Sequence, residues 1–262
     1  MRISISRLVS ALALAAANGA AAEQAAERTA EAAVEPSRKS DWAFSFTPYL
    51  WVAGIEVETT LPDTPPSTPP EASRFDTRIS GGAMFIAEAR YKDIGLWWDF
   101  AWLRLDTDAA NPGPAFQSVN LESDFIHSTT AFSYRLPIEG KLHATLLAGA
   151  RVWHVKEEVV ANGNLLPSFS ADSDNAWVDP IAGADLSYNL TPKWSIVAKG
   201  TLGGLEGPAD LSWEAMGGLS CRFGKRCSGA VGYRYLHEEY SRNRFTLNTD
   251  IQGFIAGFGF HF

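Results

Sequence analysis

Gly253-Phe254-Ile255-Ala256-Gly257-Phe258-Gly259-Phe260-His261-Phe262 closes the chain, and the fold is decided by how these residues are read. Phe254, Ala256, Phe258, Phe260 and Phe262 share one parity, whereas Gly253, Ile255, Gly257, Gly259 and His261 share the other. Side chains alternate between the two faces of a β-strand, so this is a strand with one aromatic face and one face of mostly small residues. A strand buried in a soluble sandwich would carry the same pattern. The rest of the chain separates the two cases, because a membrane barrel needs an even number of alternating strands and no apolar helix.

Residues 1–22 read as a secretory signal peptide. Arg2 and Arg7 form its positive start, Leu8 to Ala17 its apolar run, and Ala20-Ala21-Ala22 its cleavage site. That run is shorter than the roughly 20 residues of a membrane helix, and no later stretch reaches that length. Cleavage takes Arg2 and Arg7 away and moves the formal net charge from -8 to -10, an acidity that argues against a nucleic-acid partner. Residues 23–40, rich in Ala and Glu, read as a flexible periplasmic leader that lacks the apolar residues for a core. Nine Trp, fifteen Phe and seven Tyr beside 22 Gly suit an aromatic-girdled barrel. The expected fold is an all-β, antiparallel, up-and-down transmembrane β-barrel over residues 41–262.

Ten strands account for that stretch, near 42–60, 77–91, 96–105, 119–136, 141–160, 176–190, 194–202, 211–223, 227–240 and 245–262. An even count returns both ends to the periplasmic side. Apolar faces recur throughout, as in Leu96, Trp98, Phe100 and Trp102 against Trp97, Asp99, Ala101 and Leu103. Pro48 cannot donate to a ladder, so a bulge is expected there. Long loops are expected at 61–76, 106–118 and 161–175, on the extracellular side. A soluble sandwich would have polar outward faces; here large apolar residues share one face and charges the other.

The inward parity collects Arg90, Arg135, Arg151, Lys199, Arg222 and Arg234 against Glu88, Asp99, Asp179, Asp185, Glu214 and Glu238. A lone charge in a narrow lumen is costly, so a balanced set implies mutual pairing that plugs the barrel. The alternative is a narrow polar path for ions or small solutes. Ten strands make a bore only slightly wider than one that side chains fill, so a general diffusion porin is not expected. Cys221 and Cys227 flank the Gly224-Lys225-Arg226 turn symmetrically about Gly224 and share a parity, which would set them directly opposite in a hairpin and suggests a possible disulfide in an oxidising periplasm. No Cys/His cluster suggests a metal, and no cofactor is expected. Asp172 and Asp174, with His237 beside Glu238 and Glu239, are the only residues that invite a hydrolytic reading. His127-Ser128 completes no triad, so the chain is expected not to be an enzyme. Arg242 and Arg244 are candidates for lipopolysaccharide phosphates.

Gly257-x-x-Phe260-x-Phe262 resembles the closing strand read by the outer-membrane assembly machinery of Gram-negative bacteria, an assembly signal with an aromatic end. Gly149-Ala150-Arg151-Val152-Trp153, Trp177-Val178-Asp179-Pro180-Ile181-Ala182-Gly183, Lys193-Trp194-Ser195, Gly203-Gly204-Leu205 and Gly232-Tyr233-Arg234-Tyr235-Leu236 resemble a family of small bacterial outer-membrane barrels in the opacity-type, OmpW-like and OmpA-transmembrane-like superfamily. The resemblance covers about the carboxy-terminal half. Gly200-Thr201 departs from the Gly-Asp expected before the Gly-Gly pair, so an ion pair built on that Asp is absent or replaced. The resemblance implies an outer-membrane barrel with no known catalytic activity; the chain itself is read as a monomeric cell-envelope barrel in contact with lipid and lipopolysaccharide. Omptin outer-membrane proteases also have ten strands, but the residues around Asp172, Asp174 and His237 do not resemble omptin motifs.

Overall fold

The computed structural model describes residues 2–3, 41–60, 74–110, 116–204, 207–242 and 245–262. Its ten long strands are β1 (Trp42–Thr60), β2 (Arg74–Tyr91), β3 (Ile94–Ala110), β4 (Phe116–Arg135), β5 (Leu142–Gly163), β6 (Phe169–Asn189), β7 (Trp194–Gly203), β8 (Leu211–Arg222), β9 (Cys227–Arg242) and β10 (Phe245–His261). Each pairs antiparallel with its sequence neighbours, and β10 pairs with β1 to close the ring. The Phe44 and Phe262 backbones exchange both hydrogen bonds, at 3.2 and 2.9 Å, where the two ends meet. A two-residue strand, Arg2–Ile3, lies against Val57 and Glu58 within the stretch read as the signal peptide.

Strand parity sorts the side chains as the alternation dictates. Leu50, Val52, Phe132, Val231 and Phe254 stand exposed on the outside, while Asp99, Arg151, Asp179, Arg234 and Glu238 are buried inside. On β3 the outward apolar run goes from Ile94 to Trp102. Eight strand rises make roughly 27 Å of strand, a little over 20 Å of height at the usual tilt, near the thickness of a lipid-facing band. Trp42, Tyr91, Tyr134, Tyr188 and Trp194 edge this belt at the end with tight turns. Trp102, Trp213 and Tyr235 edge it at the other, the loop end, where outward residues become polar from Arg104, Asp124, His154 and His237 onward.

Several strands outrun their expected limits. β3 reaches Ala110, β4 starts at Phe116, β5 reaches Gly163 and β6 starts at Phe169. Much of the expected loop sequence at 106–118 and 161–175 is therefore wall. Ladder hydrogen bonds do not depend on what the side chains face, so pairing continues after the outward residues turn polar. The proline-rich loop expected at 61–76 lies outside the described residues, apart from Arg74, Phe75 and Asp76 in β2.

Pro48 makes no bulge. β1 keeps a single register with β10 on both sides of it, Phe46 against Phe260 and Tyr49 against Gly257. Its ladder with β2 instead ends there: pairs run from Trp42/Tyr91 to Pro48/Phe85, with none beyond among the described residues. The missing proline N–H marks where the two strands part. The bulges fall at Ile79/Gly81 and Phe116/Ser118.

Candidate functional site: a two-layer plug in the lumen

Inward positions on three other strands converge on Arg151 of β5, which is fully buried. Its Nε donates to Thr129 Oγ1 at 3.2 Å, Nη1 to Ser212 Oγ at 2.8 Å, and Nη2 to both Thr201 Oγ1 and Glu214 Oε2 at 2.8 Å. Glu214 in turn faces Arg234 Nε at 3.1 Å and Lys199 Nζ at 3.9 Å. Neither Glu214 Oε1 nor Arg234 Nε has hydrogen-bond geometry, but at that separation each is the other's counter-charge. Arg234 Nη2 donates to Asp99 Oδ2 at 2.7 Å, and Nη1 to the Tyr49 hydroxyl at 3.0 Å. Lys199 also lies over the Trp97 ring, 3.9 Å from its centroid. This ionic layer joins β1, β3, β4, β5, β7, β8 and β9 across the bore.

An aromatic layer sits on its loop-end side. Trp153 stacks on Trp177 at 6.0 Å between centroids, and Trp177 on Tyr240 at 4.3 Å. Val155, Leu236, Leu247 and Ala209 pack with them, and Trp51, Phe125 and Ile251 join at the edge. Trp177 Nε1 donates to Glu238 Oε1 at 2.9 Å. His127 meets the Trp153 ring edge-on at 5.0 Å. The short link between β7 and β8 dips onto this layer: Ala209 is buried, and its N–H donates to Asp179 Oδ1 at 2.8 Å. Above the belt, burial pushes the Glu238 carboxyl up to about 7 and raises that of Glu157.

Of the twelve charges expected to pair, Asp99, Arg151, Lys199, Glu214 and Arg234 form the ionic layer, and Asp179 and Glu238 meet the layer above. Glu88 and Arg90 pair with each other nearer the turn end, and Asp185 lies opposite Lys199 in the ladder. Arg135 and Arg222 are exposed at the turn-end mouth. Of the twelve, three cations and four carboxylates are buried, while Glu88, Arg90 and Asp185 are half-buried. Parity reports facing, not depth. Tyr49, Trp97, Thr129, Thr201, Ser212 and the aromatic layer were not singled out by the charge pattern. The available signal for that layer was Trp153, Trp177 and Tyr240 on inward positions near the loop end.

Cys221 and Cys227 are unbonded. The hairpin register pairs Arg222 with Ser228 and Cys221 with Gly229, and Phe223 N donates to Cys227 O at 2.8 Å. The turn therefore centres on Lys225 rather than Gly224, which leaves the cysteines diagonal instead of opposite. Diagonal Cα atoms lie about 7 to 8 Å apart, too far for a disulfide without backbone movement. The hydrolytic candidates also fail to converge. Asp172 and Asp174 share the outward parity of β6, as His237 does on β9, and β7 and β8 separate them. His237 lies against Asp250 at 2.8 Å and Glu239 at 3.4 Å. His127 is inward, whereas Ser128 faces out and accepts from Trp98 Nε1 at 2.9 Å. Arg244 lies outside the described residues. In the closing strand, Phe262 is among the most exposed aromatics, Phe260 is exposed beside it, and Gly257 lies opposite Tyr49.

A closed antiparallel ring with an apolar outside and a polar interior defines a transmembrane β-barrel of the outer-membrane type. No protein-family model matches the sequence, and no curated protein matches it. Among solved structures, the fold is similar to that of the outer membrane protease OmpT from Escherichia coli, with a TM-score of 0.54 at 10% identity over 87% of this chain and 99% of that one. It also aligns with the translocator domain of autotransporter NalP from Neisseria meningitidis, with a TM-score of 0.41, 12% identity, and 84% and 86% of the two chains. Ail of Yersinia pestis aligns with a TM-score of 0.35, 14% identity, and 84% and 98% coverage. Identities this low report fold alone, and the chain is an outer-membrane β-barrel by that fold.

Proposed function

We propose that this protein is a closed outer-membrane barrel that acts through its surface rather than through a pore. One observation carries the reading: the Arg151–Glu214–Arg234–Asp99 layer and the Trp153–Trp177–Tyr240 layer are stacked across the same bore and both are largely buried. A hydrated solute would have to break buried ion pairs and part a ring stack, each at a cost of several kcal/mol. The tight-turn end is periplasmic in this reading, and residues 1–22 are removed on export. The closing strand through Phe262 serves as the assembly signal. The loop end faces outward into lipopolysaccharide, and the barrel works as a monomer without catalysis. Planar-bilayer recording of refolded protein tests it: a baseline indistinguishable from lipid alone is expected. Reproducible unitary steps would replace this reading with that of a restricted channel.

A further inference from the structure

A groove breaks the aromatic surface of the lipid belt near the turn end. The outward positions of β2 between Phe85 and Tyr91 are Ala87 and Ala89, and the ladders set Ala89 between Phe44 and Leu96, and Ala87 between Phe46 and Trp98. Side chains that stop at Cβ thus floor a groove walled by large residues of β1 and β3, with Phe262 beside it and a volume of about 280 Å³. Its lining is almost wholly apolar. Phe85 closes the upper end, its ring centroid 5.4 Å from that of Phe46 and 4.8 Å from that of Trp98. From Phe85 to Tyr91 the strand runs roughly 20 Å, which at the usual tilt is about 15 Å of height, or half of the hydrocarbon core. The floor strand therefore has the depth of one leaflet's acyl chain. Charge gathers at the open end. Lys92 follows Tyr91, with Nζ 5.3 Å from the centroid of that ring and 3.7 Å from Asp41 Oδ2, and both charged side chains are exposed. Asp93 comes next in the turn, and an oxygen of the chain-terminal carboxylate on Phe262 accepts from Phe44 N at 3.2 Å. An exposed pair at that separation is worth little, so Lys92 and Asp41 readily exchange it for ligand charges of both signs.

We propose that this groove binds one glycerophospholipid with a zwitterionic headgroup. An acyl chain lies on Ala87 and Ala89, the phosphate meets Lys92 and the ammonium meets Asp41. The inference rests on the orientation proposed above, in which the turn end lies in the periplasmic leaflet, where the lipid is phospholipid rather than lipopolysaccharide. Charge complementarity selects the headgroup. Lys92 stands among Asp41, Asp93 and the terminal carboxylate, so a purely anionic headgroup would satisfy one cation and face three like charges. An ammonium on the same headgroup turns those carboxylates into partners. A second copy of the chain fits less well, because a groove with a two-residue floor buries far less than the roughly 1,200 Å² of a stable interface. A chain lying in it touches β1, β2 and β3 at once, and so braces the short β1–β2 ladder that ends at Pro48.

Native mass spectrometry of the refolded protein, released from micelles that hold equal amounts of phosphatidylethanolamine and phosphatidylglycerol, tests this without reference to conductance. Each variant is compared as folded barrel, identified by heat-modifiable migration on a gel. Wild type should retain one lipid, with phosphatidylethanolamine preferred about fivefold, the most that an exposed ion pair supplies. Ala89→Trp fills the groove and should lower retention about tenfold, the equivalent of a couple of lost methylene contacts. Ala182→Trp, at an exposed outward position of β6, should retain lipid like wild type. Asp41→Lys leaves the groove open and should reverse the headgroup preference. A wild type that retains no lipid, or both lipids equally, would overturn the proposal, as would a preference that Asp41→Lys leaves unchanged. Retention in Ala89→Trp equal to wild type would do the same. Equal losses in Ala89→Trp and Ala182→Trp would mark the lipid as an unselective annulus and sink the site. A wild-type dimer that Ala89→Trp converts to monomer would give the groove to a second copy instead and also overturn it.

Discussion

The Tyr49 hydroxyl accepts from Arg234 Nη1 at 3.0 Å and donates to Asp99 Oδ1 at 2.7 Å. Tyr49 is the first residue of β1 beyond its ladder with β2, so a spoke across the lumen begins where the wall pairing stops. Tyr49→Phe leaves polar atoms of a buried network unpaired, and a loss of about 1 to 3 kcal/mol is expected. Urea unfolding in micelles measures it, with Tyr233→Phe as the control, since that hydroxyl bonds Gln252 on the exposed face. Equal losses for the two variants would show that the spoke carries no special weight.

Arg151 and Glu214 form a buried ion pair at 2.8 Å. Arg151→Met removes one of the three cations that face Glu214 and leaves the Thr129, Thr201 and Ser212 hydroxyls without their donor, so a cost of roughly 3 to 5 kcal/mol is expected. Glu214→Leu alone should also destabilise, because Lys199 and Arg234 lose a counter-charge, and the double variant should cost less than the sum of the two, since the Arg151–Glu214 contact can be lost only once. Unfolding midpoints of the two single variants and the double variant give the coupling, and strict additivity would contradict it.

Stability should fall as pH rises through the range in which Glu238 titrates. Its carboxyl is raised from 4.5 to about 7 in the folded chain, so between those values the folded state holds a proton that the unfolded state has given up. Its contribution is complete below the lower value, is lost progressively toward the higher one, and is flat beyond it. The difference in urea midpoint between wild type and Glu238→Gln, followed against pH, isolates this group. A difference that does not vary with pH would refute the assignment.

Both cysteines should react as free thiols. Unfolded protein prepared without reductant is expected to take up two maleimides per chain, since Cys221 and Cys227 are unbonded. Reductant should leave the unfolding midpoint unchanged. A single mass with no label incorporated would show a bridge, and with it a different register at this turn.

Asp106, Glu122, Glu158 and Asp172 are successive ladder partners on β3, β4, β5 and β6, a row of four like charges on the outward face at the loop end. Directly opposed like charges destabilise a sheet by about 0.2 to 1 kcal/mol per pair. Glu158→Lys should therefore raise the unfolding midpoint at low salt, and the gain should shrink as ionic strength rises. A lower midpoint at every salt concentration would count against the row as a source of strain.

The membrane belt could be read from sequence because its outside and inside differ as sharply as any two faces of a strand can. Leu96, Trp98 and Phe100 against Asp99 leave little choice of facing. Beyond the belt the outward residues are polar too, so the strand residues Asp106 and Asp174 looked like loop. Parity placed Arg135 and Arg222 on the same footing as Arg151, although they sit at the mouth and Arg151 at the centre. Which inward residues meet depends on strand register and tilt, and neither is written in one strand's pattern. The cysteine pair shows how little error matters: a turn centre displaced by one residue moves the partner of Cys221 from Cys227 to Gly229.

The parting of β1 and β2 beyond Pro48 also sets the mechanical character of the wall. A tube slit along part of its length loses hoop continuity there, and an open section yields to twisting far more readily than a closed one. Lateral pressure from the surrounding lipid would be borne least by this seam, and the Tyr49–Arg234–Asp99 linkage acts as the strut that limits how far its lips can spread.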